Sequence, residues 1–146
     1  MVQIVQTPNA LVLFAETGAR IIYTDGRSFD RSVLPQWAGY SIGHWDGDTL
    51  VVETKNFKGD YLRRFPMSDS AKVTEYFKLA ADKKSLSVKT IFEDPKYFTE
   101  PMGSMAYYNS HPEADVIEDV CLEGLKDMIK YGRAPEKSLV IPKGGN

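Results

Sequence analysis

Four side chains in this chain have the right types to move a proton: His44, Tyr40, Glu53 and Glu75. Histidine titrates near neutrality without help, and a tyrosine or carboxylate within reach tunes it as a general acid or base. The chain has two histidines. The second, His111, stands beside Pro112 in a polar turn and reads as surface. Glu75 alternates with Val73 and Phe77, and Glu118 with Val116 and Val120, so each shares a strand face with apolar neighbours. A carboxylate placed so either finds water or sits in a cavity with a raised pKa. The rings of Tyr23, Trp37, Trp45 and Tyr107, together with Glu118, form the candidate ligand-binding set. Each has an apolar body and, for tyrosine and tryptophan, a polar tip. The plain alternatives are an exposed strand histidine, solvated glutamates and core rings. Arg27, after Asp25-Gly26, and the Arg63-Arg64 pair are further candidates to meet a ligand carboxylate, with a solvated surface as their default.

Other chemistries have less support. Asp46, Asp48 and Thr49 offer oxygens, but their spacing lacks the further carboxylates and closing glutamate of a calcium loop, and turn formation accounts for both aspartates. Two distant histidines and a single cysteine, Cys121, do not make a zinc site or an internal disulfide. No G-x-S-x-G, G-x-G-x-x-G or G-x-x-x-x-G-K-S/T stretch occurs, so neither a nucleophile elbow nor a nucleotide loop is indicated. No metal and no cofactor are implied.

The element that must position His44 is the stretch Tyr40 to Phe57, YSIGHWDGDTLVVETKNF. Asp46-Gly47 between Ile, Trp, Leu and Val runs is a strong hairpin signal, because glycine accepts the positive φ of a type I′ turn. With a two-residue Asp46-Gly47 loop, Trp45 lies opposite Asp48, His44 opposite Thr49, Ile42 opposite Val51 and Tyr40 opposite Glu53. Tyr40, Ile42, His44, Thr49, Val51 and Glu53 then share one face, and Trp45, Asp48, Leu50 and Val52 the other. A three-residue loop would move Glu53 to the Trp45 face.

Further β-favouring runs surround this hairpin. Val2 to Gln6, Leu11 to Phe14 and Arg20 to Thr24 are three of them. Lys72 to Ala80 and Ser85 to Phe92 alternate across a polar turn as a second hairpin. Gly103 to Asn109 with Val116 to Cys121 is a third. Lys58 to Ser70 reads as a functional loop, and Leu122 to Tyr131 has helical spacing with Gly132 as C-cap. The tail SLVIPKGGN either adds an edge strand or lies over the mouth of the fold. About eight or nine strands in successive hairpins predict a mainly β, antiparallel up-and-down, lipocalin-like β-barrel with one short C-terminal helix. A curved sheet folded over that helix is the second choice. At 146 residues the chain is a single domain, residues 1–146. A formal charge of −2 offers no basic field for nucleic acid or an anionic membrane, and no window nears the roughly 18 apolar residues of a membrane helix. The N-terminus lacks the basic-then-apolar profile of a signal peptide.

On these residues the chain resembles a family of uncharacterised bacterial proteins, many of them exported. The shared stretches are Ile4 to Pro8 (IVQTP), Arg20 to Arg27 (RIIYTDGR), Trp37 to Phe57 with SIGHWDGDTLVVET, Glu75 to Phe77, Glu93 to Pro101, and Glu118 to Glu123. Tyr76 stands where such proteins usually have arginine, and Met102 where a tryptophan commonly follows the last proline. The resemblance implies a small exported β-barrel domain, with a segment upstream of Met1 and no established activity.

Three functions fit this pattern. The first is a cofactor-free enzyme in which His44 works with Tyr40, Glu53 or Glu75 inside a barrel cavity. It would isomerise, cyclise, eliminate from or hydrate an apolar or aromatic small molecule. The second is a lipocalin-like binding protein using the same cavity without turnover. The third is an interaction domain with a pairing sheet edge, and an exposed apolar edge would favour a homodimer.

Overall fold

Apolar and polar residues alternate along nearly every segment, and the backbone follows that period of two. The computed structural model describes residues 2–15, 18–30, 32–62 and 65–114. It is built from ten strands: β1 Val2–Gln6, β2 Ala10–Ala15, β3 Gly18–Tyr23, β4 Tyr40–Asp46, β5 Thr49–Lys55, β6 Asp60–Leu62, β7 Phe65–Met67, β8 Lys72–Leu79, β9 Ser85–Glu93 and β10 Met102–Asn109. Eight of them make one curled sheet in the order β1-β2-β3-β4-β5-β8-β9-β10, a half-barrel. β6 and β7 pair separately within the stretch Lys58 to Ser70, which the sequence suggests is a functional loop.

Two expectations change here. Among the described residues the sheet is open: β1 and β10 stay at opposite ends of the order, whereas a closed barrel needs its first and last strands to meet at a consistent stagger. The meander is not wholly antiparallel, because β3 and β4 run parallel through two residue pairs, Ile22 with Ser41 and Tyr23 with Ile42. The chain between them, turning at Gly26 and Gly39, sets the start of β4 beside the last residues of β3. The strand expected at Gly103 to Asn109 is formed as β10, which pairs with β9 along its whole length, Met102 with Phe92 through Asn109 with Ser85. The strand foreseen at Val116 to Cys121, the helix at Leu122 to Tyr131 and the tail lie outside the described residues.

The central hairpin is formed, two residues out of the expected register. Asp46 pairs with Thr49, His44 with Val51, Ile42 with Glu53 and Tyr40 with Lys55. Gly47 alone has a positive φ, 59°, so the two central residues are Gly47-Asp48 in the pattern of a type II′ turn. A shift of two leaves every side chain on its expected face.

The core comes from one face of the sheet. Leu11, Ile22, Leu50, Val52, Phe77 and Val88 pack together, with Leu13 and Leu86 against them. Ile22 and Val52 have no exposed surface. At about 25 cal/mol per Å² of apolar area removed from water, this layer is the main force holding the curl.

A smaller knot ties the loops at one end. Gly39 has φ 70°, and a Cβ there would sit 2.6 Å from both Phe57 Cε1 and Thr54 Cγ2, so glycine is required. Asp94 is buried and accepts hydrogen bonds from the Ser68 N–H (2.6 Å), the Ser68 hydroxyl (2.7 Å) and the Lys96 N–H (3.1 Å). Burial pushes its carboxyl up, but these donors outweigh it and hold the group below its ordinary value.

Candidate functional site

The inward face of the curl is a trough of about 1060 Å³. Leu11, Leu50, Phe77 and Val88 form its floor, with Leu13 and Leu86 beside them, and Val2, Ile4, Leu79 and Tyr108 rise along its sides. Strand alternation explains the lining. Ile4 faces Leu13, Leu13 faces Arg20, Glu75 faces Val52 and Val88 faces Phe77 across successive ladders.

Into this apolar surface the sheet sets one compact polar group. Arg20 on β3 donates from Nη1 to Glu75 Oε1 on β8 (3.1 Å), and Nη2 closes a second bond to Glu75 Oε2. Nε donates to the Ser41 hydroxyl (3.0 Å) and Nη2 also to the Thr54 hydroxyl (2.8 Å), while Ser41 and Thr54 bond each other at 2.9 Å. Ser41 and Thr54 are buried, whereas the Arg20 and Glu75 side chains keep 24% and 13% of their surface open to the trough. A bidentate guanidinium–carboxylate pair braced by two hydroxyls is rigid and geometrically specific.

The four candidate proton-transfer residues do not come together. Glu75 lies in the trough, while Tyr40, His44 and Glu53 occupy the opposite, convex face, where His44 is exposed. The expected association of His44 with an interior carboxylate is corrected by the direction of curling: the face of Leu50 and Val52 turned inward, and that of His44 outward. Glu53 instead joins a surface chain of charges, 2.9 Å from Lys55 and 3.9 Å from Lys72, which also reaches Glu93 at 2.7 Å. The hydrogen bond to the Glu93 carboxylate is the main reason the Lys72 ammonium titrates above its ordinary value.

The ring-bearing candidates divide in the same way. Trp45 and Tyr107 both border the trough with much of their surface open, Tyr107 from the edge strand β10, where its pairing with Ser87 puts it on the face opposite Tyr108 and Leu86. Trp37 is 58% exposed on the loop before β4, under the Lys58 ammonium at 4.9 Å. Tyr23 belongs to a convex cluster in which the Arg27 guanidinium stacks 3.7 Å above its ring, Arg27 donates to the Tyr40 hydroxyl at 3.1 Å, and the two tyrosine rings lie 5.2 Å apart. Arg27 also forks onto Asp25, whose carboxyl it holds down at about 2. These groups saturate one another. Glu118 lies outside the described residues.

Arg20, Ser41 and Thr54 were not among the candidates. The signal for Arg20 was present, since it shares a strand face with Ile22 just as Glu75 does with Val73 and Phe77; two opposite charges on apolar strand faces are a pair in waiting. Among the described residues no group of three or more His, Cys, Asp or Glu side chains converges as metal ligands would. No protein-family model, no curated protein and no solved structure matches this chain.

Proposed function

We propose that this protein binds a hydrophobic or aromatic small molecule in its trough, as a lipocalin-like binding protein on an open half-barrel. The observation that carries this reading is the trough itself: an apolar floor and walls around one compact polar group, the usual composition of a ligand site. Its open-sided rings, Trp45 and Tyr108, are suited to close on a guest. The cofactor-free enzyme reading is weaker by comparison, because of its four acid–base residues only Glu75 is in the trough, and Arg20 engages both its oxygens. Membership of the uncharacterised bacterial family that the central hairpin resembles is part of the same proposal.

Titration with the neutral, environment-sensitive probe N-phenylnaphthylamine tests it. Saturable binding near one probe per chain, with quenching of tryptophan emission, is expected. Leu13→Lys and Leu86→Lys in the trough should each weaken that binding about tenfold or more, and Val51→Lys on the convex face should not. Unsaturable binding, or equal losses on the two faces, would overturn the proposal.

A further inference from the structure

The polar group in the trough also points to the chemistry of the guest, on the condition that the trough is a ligand site. We infer that the guest is uncharged and carries one hydrogen-bonding end, a hydroxyl or a carbonyl, which docks at Arg20 and Glu75.

The inference follows from an inventory of donors and charge. A guanidinium has five N–H groups. In Arg20 four of them are committed: Nε to Ser41, one Nη1 hydrogen to Glu75, and the two Nη2 hydrogens to Thr54 and Glu75. One Nη1 hydrogen is left to donate, and the Glu75 oxygens, each holding one arginine hydrogen, retain lone pairs that can accept. A guest hydroxyl matches both at once, accepting from Nη1 and donating to the carboxylate. A guest carbonyl takes the Nη1 hydrogen alone.

Formal charge then discriminates. The guanidinium and the carboxylate sum to zero, so an incoming carboxylate would lose its hydration beside Glu75 as well as Arg20, with repulsion offsetting attraction. An incoming ammonium meets the reverse situation. The other charged groups lining the trough do not alter this. Lys83 and Lys84 are exposed, at the β8–β9 turn, and Asp48 is exposed at the β4–β5 turn. Glu75 stands four residues before the end of β8, about 13 Å from that turn at the usual strand rise, beyond a Debye length at physiological salt.

Displacement of N-phenylnaphthylamine from the full chain by decanol, decanoate and decylamine at neutral pH is the decisive experiment. Decanol should displace the probe at concentrations at least about tenfold below those of decanoate or decylamine, after each is compared with its own partition into bulk apolar solvent. Glu75→Gln should shift preference about tenfold toward decanoate, and Arg20→Gln toward decylamine. Decanoate binding as tightly as decanol to the unaltered chain would overturn the inference even if neither variant folds, and so would a folded Glu75→Gln protein with an unmoved preference. Failure of the probe itself to bind is a different result: it removes the trough as a ligand site and this inference with it.

Discussion

Val51 and Val52 are adjacent in β5 and chemically identical, yet they belong to two different environments. Val52 is fully buried in the concave layer with Ile22 and Leu50, while Val51 is half-buried on the convex face opposite His44. The charged residues show the same division. On the concave side Arg20 and Glu75 hold each other within an apolar surface, supported by two buried hydroxyls. On the convex side Glu53, Lys55, Lys72 and Glu93 form a string of partly exposed ion pairs open to water and salt. Residue type alone therefore says little about role here. The curl decides whether a carboxylate becomes part of the trough wall or part of a solvated surface.

Substitutions in matched pairs would break or sharpen this contrast. The largest effect is expected from Val52→Asp, which buries an unpaired carboxylate and should cost about 4 kcal/mol in urea unfolding, enough to threaten folding altogether. Val51→Asp should cost about 1 kcal/mol or less. Equal losses would mean that the two faces are not distinct.

Next in size is the comparison of ion pairs. Arg20→Met strands Glu75 and should destabilise by about 2 kcal/mol, less than for a fully buried pair because both side chains retain some exposure. The double variant Arg20→Met with Glu75→Leu should recover most of that loss, whereas Glu53→Gln on the convex face should change stability by under about 0.5 kcal/mol. A double variant no more stable than Arg20→Met would show that the hydroxyls, and not the stranded carboxylate, set the penalty.

The smallest expected effect is at His44. His44→Gln should alter stability by less than about 0.5 kcal/mol and leave probe affinity in the trough unchanged, since the imidazole is exposed on the far side of the sheet. A large loss of binding in that variant would return His44 to the site.

Much of this architecture was readable from the residues in order. Alternation identified the strands, glycine at position 47 located the hairpin, and parity assigned Tyr40, His44 and Glu53 to one face and Trp45, Leu50 and Val52 to the other, an assignment that survived the two-residue shift in register. Those are local properties: a strand's side chains must point alternately up and down whatever surrounds it. Which face would turn inward is not local. It depends on the combined burial of Leu11, Ile22, Leu50, Val52, Phe77 and Val88, drawn from five strands far apart in the chain. Likewise the meeting of Arg20 with Glu75, 55 residues away, the parallel join of β3 to β4 and the placing of β1 and β10 at the two ends of the described sheet arise only once the strands have taken their order.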